Sequence, residues 1–205
     1  MKIKLFKENL AQVNSYLLIK KKKAILIDPG FNGEAIIKYL KENEVVIDYV
    51  ILTHGHFDHI KDLELLAKEG SFELFVTKED KFLLFHDEHN YAKAFGSSFK
   101  LPNNITIKEV ANNDSLKLLE ETFKIYSTPG HTKGSICISY QRTLFTGDTL
   151  FYNSVGRTDL YSGNQSELFK SIDLLKTKFG NDTLIYPGHG ESGKMKIVKD
   201  INPFL

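Results

Sequence analysis

The chain has 205 residues, 41% of them hydrophobic and 26% charged, with a net charge of +1. That balance excludes a protein drawn to nucleic acid or acidic membranes by its overall field, and no apolar run reaches the ~18 residues of a membrane span. A lone cysteine, Cys137, excludes an internal disulfide and a zinc–thiolate cluster.

The length fits one domain over 1–205. Lys2, Lys4 and Lys7 interrupt any signal-peptide core, so a cytoplasmic location is expected. Alternating or β-rich runs predict strands over 3–6, 15–19 and 24–27, with the lysines of 20–23 as an exposed turn. Asn32 is placed to cap a helix running to about residue 43, with Ile36, Ile37 and Leu40 on one face. A buried-type strand over 49–53 leads into a helix over 60–68, a strand over 73–76, a short helix over 78–85 and a connection over 86–101. Strands follow over 105–110, 123–127, 135–140, 143–145 and 183–186, with an amphipathic helix over 165–179. Cys137, in an alternating stretch, is expected to be a small inward side chain. Two β-rich halves, each carrying helices outside, predict two packed sheets with a helical layer on each face.

Four of these strands lead into metal-ligand residue types. His54-Gly55-His56-Phe57-Asp58-His59 packs four imidazole or carboxylate groups into six residues. His131 follows Pro-Gly, Asp148 lies in Thr-Gly-Asp-Thr, and His189 again follows Pro-Gly. His54 and His56 point the same way from extended backbone, whereas Asp58 and His59 begin a helix and turn toward a second position. Five histidines and two aspartates suffice for two ions of borderline softness, which points to a hydrolytic centre built around a metal-bound hydroxide. Glycines at 55, 130, 147, 188 and 190 would let backbone approach the ions closely. His86 and His89 have no strand behind them, and are expected at the surface near the pocket mouth, outside the ligand set.

At these residues the chain resembles the metallo-β-lactamase-fold hydrolases, and within them the short glyoxalase II-like (hydroxyacylglutathione hydrolase) group. The motifs that carry the likeness are Leu-Ile-Asp-Pro-Gly at 26–30, Thr-His-Gly-His-Phe-Asp-His at 53–59, Pro-Gly-His-Thr at 129–132, Phe-Thr-Gly-Asp-Thr-Leu-Phe at 145–151 and Pro-Gly-His-Gly at 187–190. The resemblance implies an α+β fold, a four-layer αββα sandwich. It implies that His54, His56 and His131 hold one divalent metal, that Asp58, His59 and His189 hold a second, and that Asp148 bridges both. Zinc is expected first; iron and manganese suit the same ligands. Asp28 would brace the ligand loops. The implied activity is hydrolysis of S-D-lactoylglutathione or a related small-molecule thioester. In that reaction Asp58 would accept a proton, and Arg157 would clamp a substrate carboxylate. An Arg157–Asp159 ion pair that braces the loop is the competing reading of that arginine. The short stretch after His189 leaves no room for the helical domain that grips glutathione in the full-length enzymes, so loose demands on the thiol half are expected. Gly156-Arg157-Thr158-Asp159 also resembles the persulfide dioxygenases. In that alternative one Fe(II) would sit on His54, His131 and Asp148.

Overall fold

A computed structural model describes residues 1–7 and 11–205 of the protein. The first half starts with an antiparallel meander, β1 (Lys2–Phe6), β2 (Ser15–Lys20) and β3 (Lys23–Ile27). Two further strands join in parallel: α1 (Gly33–Asn43) crosses to β4 (Val46–Ile51), and two short helices, α2 (Phe57–Ile60) and α3 (Leu63–Leu66), cross to β5 (Glu73–Thr77). After α4 (Lys78–Lys81) and two 3-10 turns, β6 (Thr106–Val110) adds parallel to β5 and completes a six-stranded sheet in the order β1 to β6.

The second sheet contains β7 (Ser115–Leu118), β8 (Glu121–Ser127), β9 (Ile136–Tyr140), β10 (Thr143–Gly147), β11 (Leu184–Pro187) and β12 (Gly193–Lys194). Between β10 and β11 the chain forms α5 (Gln165–Lys178), and α6 (Met195–Ile201) follows β12. None of these helices is long and apolar enough to cross a membrane.

Three apolar clusters fill the three spaces between four layers. Ile36, Leu40, Leu63 and Leu66 of α1 and α3 pack on Leu17, Leu26, Val50 and Leu74 of the first sheet. Tyr16, Ile25, Ile51 and Phe75 meet Phe123, Ile125, Ile138 and Phe145 between the sheets. Leu168, Ile172, Leu175 and Val198 of α5 and α6 cover Cys137, Leu144 and Ile185 on the far face of the second sheet. Each fully buried Leu, Ile or Phe contributes about 1.5–3 kcal/mol, so these layers hold the sheets in fixed register. The four-layer αββα sandwich expected from sequence is therefore present. Cys137 is buried in its helix-facing layer, where burial above all pushes its thiol up to about 12, out of reach of thiolate chemistry.

Departures from the predicted elements have local causes. β4 stops at Ile51 because the N–H and hydroxyl of Thr53 both donate to Asp28, and the Thr53 carbonyl accepts from Ile136 in the other sheet. The expected helix over 60–68 divides at Asp62: its N–H donates to the Gly30 carbonyl, and its Oδ2 accepts from Gly33 at 2.6 Å. Asp62 thereby caps α1, whereas the Asn32 side chain instead donates to Val13 and to Ser15. The segment over 78–85 is one α-turn followed by a 3-10 turn. Strand β7 went unread because its hairpin turns through Leu119 and Glu120, both at positive φ, without the Asn-Gly signal of such turns. Helix α6 has no side-chain cap at Lys194 and left no start signal.

Removing the α1 cap isolates one of these effects. Asp62→Ala should lower unfolding stability by about 1–2 kcal/mol, read as a shifted denaturant midpoint at unchanged slope. An unshifted midpoint would mean that solvent satisfies the Gly33 N–H equally well.

Candidate metal centre

All seven candidate ligands meet at one edge of the sandwich, where β4, β8, β10 and β11 end. The His54 ring centroid lies 4.8 Å from that of His56, 4.1 Å from His59 and 4.7 Å from His131, and His59 lies 5.4 Å from His189. The ligand atoms fall into three overlapping groups, each within 4.8 Å: His54, His56 and His131; His54, His59 and Asp148; Asp58, His59 and His189.

Hydrogen bonds on the far side of four of the five rings set their tautomers. His131 Nδ1 faces the Arg157 carbonyl at 2.8 Å, and His189 Nδ1 faces the Gln12 carbonyl at 3.0 Å. A carbonyl only accepts, so both nitrogens carry the proton. His59 Nδ1 lies 2.9 Å from Asp28 Oδ2. Thr53 gives its hydroxyl proton to the same carboxyl, so its oxygen accepts from His54 Nδ1 at 3.1 Å. In the neutral rings Nε2 is then left with a lone pair directed inward. The Nε2 atoms of His54, His56 and His59 and Oδ1 of Asp148 are buried with no hydrogen-bond partner among the described residues. Buried polar atoms are normally paired, so this concentration marks a place built for a cation.

The spacings fit one. Bonds of ~2.0–2.1 Å in a tetrahedron put neighbouring ligand atoms about 3.4 Å apart. Observed separations are 3.3 Å for His59 Nε2 to Asp148 Oδ1, 3.5 Å for His131 and for His189 Nε2 to Asp148 Oδ2, and 3.2 Å for His189 Nε2 to Asp58 Oδ2. Asp148 faces His131 on one side of the cluster and His59 and His189 on the other. At 2.9 Å, His56 Nδ1 to His131 Nε2 is the tightest pair.

Charge is arranged to match. Burial, with help from neighbouring imidazoles, holds His54 well below the usual range and pushes His56 down to about 3. Burial would raise both ligand carboxyls, but His59 and His189 outweigh it: Asp148 stays well below the carboxylate range and Asp58 is lowered. Burial would likewise lower His59, but Asp148, Asp58 and Asp28 hold it well above. His189 is raised against its burial by Asp58 and Asp148.

The backbone is shaped around these groups. A register shift between Phe145 and Gly147 in the β10–β11 ladder turns the chain just before Asp148, and Gly147 takes φ +47° there. A Cβ on Gly188 would lie 2.2 Å from Asp148 Oδ1, which is why only glycine fits beside the carboxylate. Two bracing residues gave no sequence signal. Asp80 is buried in α4, within a run that reads as a charged helix surface. It accepts from Gly55 N (2.9 Å), Gly134 N (2.9 Å) and the Thr132 hydroxyl (2.7 Å), which ties the His54–His56 loop to the His131 loop. Asn14, buried between β1 and β2, donates to the carbonyls of Pro187 and Gly190 on either side of His189.

The remaining predicted residues are also placed. Asp28 accepts from the Thr53 N–H and hydroxyl and faces His59 Nδ1. Arg157 lines the cleft above the ligands, with its guanidinium bound bidentately by Asp159 at 2.6 Å and 2.6 Å. The Asp159 carboxyl is held down to about 2 by that hydrogen-bonded guanidinium. His86 stacks on Phe82 at 3.6 Å and His89 on Tyr161 at 3.9 Å, outside every ligand group and outside the lining of the cleft.

Comparison with known proteins places this geometry. Residues 9–189 match the family model described as the metallo-beta-lactamase superfamily. A probable metallo-hydrolase of Methanocaldococcus jannaschii, MJ0888, is 40% identical over 192 residues, covering 88% of each chain. The crystal structure of BLEG-1 B3 metallo-beta-lactamase superposes with a TM-score of 0.92 at 31% identity, covering 100% of this chain and 99% of that one. The di-iron-bound form of TTHA1623 gives a TM-score of 0.86 at 27% identity, covering 98% and 99%.

A pH dependence follows from the raised histidines. His59 and His189 hold protons that an arriving cation must displace, so those protons compete as the pH falls. Loading with Zn²⁺ should release protons, and apparent affinity should rise from about pH 6 to pH 8. Calorimetry in buffers of different ionisation enthalpy reads both; an affinity flat across that range would contradict the assignment.

Proposed function

The chain belongs to the metallo-beta-lactamase superfamily, a metal-dependent hydrolase by kinship, and we propose that within it the protein is a glyoxalase II-like thioesterase with two divalent ions. One observation carries the reading: Asp148 lies 3.3–3.5 Å from ligand atoms on both sides of the cluster, as a shared bridge requires. His54, His56 and His131 would hold the first ion, and Asp58, His59 and His189 the second. Zinc is favoured by the imidazole-rich set, although the di-iron form of TTHA1623 makes iron a real competitor. Bound there, the ions would supply a nucleophilic hydroxide near neutral pH and Lewis-acid stabilisation of an acyl oxyanion.

The protein's own groups do the rest. The Nδ1–H bonds of His54, His59, His131 and His189 hold the rings in one tautomer, so no reorganisation is needed as charge develops. Asp58 is ionised and faces the cleft. It is placed to take the proton released as water adds to the carbonyl, and to pass it to the departing thiolate. A cleft of about 520 Å³ above the ligands gives a small thioester room to reach the cluster.

Two other readings have specific support. The likeness to BLEG-1 suggests β-lactam hydrolysis at the same cluster. The Gly-Arg-Thr-Asp run suggests a persulfide dioxygenase with one Fe(II).

One preparation of known metal content separates the three. It should hydrolyse S-D-lactoylglutathione or a related thioester without oxygen uptake, in proportion to two metals per chain. Asp148→Ala should lower activity by about 100-fold or more and weaken both metal sites, whereas His89→Ala should leave metal content unchanged. Oxygen consumption with glutathione persulfide at one iron per chain, or cleavage of a chromogenic cephalosporin without thioester cleavage, would replace the thioesterase reading.

A further inference from the structure

Apart from the candidate ligands and Arg157, the cleft is lined by Tyr91, Ala94 and Phe95 from one segment and Phe151, Val155 and Leu160 from another. Phe95 is 51% exposed, an apolar surface left open at the cleft. Such a surface is expensive to leave in water and is stabilised by an apolar ligand.

The polar groups there are few. Apart from the candidate ligands, the described lining offers only the Arg157 guanidinium and the Tyr91 hydroxyl, and no lysine lines it. Asp159 occupies the Nε–Nη2 side of the guanidinium. A substrate carboxylate would be left the Nη1–Nη2 side, next to a carboxylate that already neutralises the charge, and would gain little net charge interaction. The Tyr91 hydroxyl accepts from Tyr161 N at 2.5 Å and keeps one neutral O–H for a ligand. Tyr91 is held at φ +70°, an unusual backbone conformation for an aromatic residue, which fixes its ring edge-on to His56 at 5.4 Å.

We propose that this cleft selects an uncharged, apolar acyl thioester over a glutathione conjugate, with Asp159 as the specificity-determining residue that keeps Arg157 from substrate carboxylates. The inference rests on the thioesterase reading and narrows its substrate class. The C–S bond breaks, and water supplies the hydroxyl of the released acid and the proton of the released thiol.

Hexanoyl-N-acetylcysteamine and hexanoylglutathione carry the same acyl group on an uncharged and a charged thiol. Metal-loaded protein should show kcat/KM about tenfold higher for the first, a difference of about 1.4 kcal/mol. Asp159→Asn should shift the ratio about five- to tenfold toward the glutathione thioester, through KM for that substrate. Calorimetric binding of the thioethers S-hexyl-N-acetylcysteamine and S-hexylglutathione repeats the comparison without turnover. Preference for the glutathione member, or a ratio unmoved by Asp159→Asn, overturns the inference. If neither thioester is cleaved, the thioesterase reading falls, and the thioether binding ratio still decides what the cleft selects.

Discussion

A single buried carboxyl holds the ends of the two sheets and the ligand cluster in one arrangement. Asp28, at the end of β3, accepts from the backbone and hydroxyl of Thr53 and from His59 Nδ1. Thr53 in turn fixes His54 and bonds across to β9. Burying a carboxyl in a nearly dry site is costly unless its lone pairs are satisfied. Here three donors satisfy them, and each donor belongs to a group that must be oriented. The bonds that lower the cost of burial are therefore the same bonds that aim the imidazoles.

The same economy recurs around the cluster. Asp80 links the loops that carry His54, His56 and His131, and Asn14 fixes the loop of His189. Main-chain carbonyls of Arg157 and Gln12 complete the set of ring acceptors. What faces inward is a set of imidazole nitrogens and ionised carboxylates, with protons on His59 and His189 that a cation would displace. In a low-dielectric site a cation is the natural complement of those carboxylates.

Much of this was legible in the sequence because ligand residues follow apolar strand runs, and strands that end at one edge bring their loops together. The seven candidate ligands were read from residue type and spacing, and the brace at Asp28 from the family resemblance. The cleft's specificity was not. Whether Arg157 is open to a ligand depends on its pairing with Asp159, which two opposite charges in one loop suggest but cannot decide. Asp80 and Asn14 were invisible for another reason. A buried polar residue looks like a surface residue until the fold shows which backbone groups converge on it. The same convergence explains why the helix predicted over 60–68 divides: Asp62 is drawn away to cap α1.

The central claim is that the far-side hydrogen bonds preset the cluster for two bridged ions. X-ray absorption on zinc-loaded protein tests it most directly. The account predicts two ions per chain with a metal–metal vector of about 3.5–4 Å, in a shell of nitrogen and oxygen ligands at about 2.0–2.2 Å. A single ion per chain at saturating zinc, or two ions with no metal–metal vector, would contradict it.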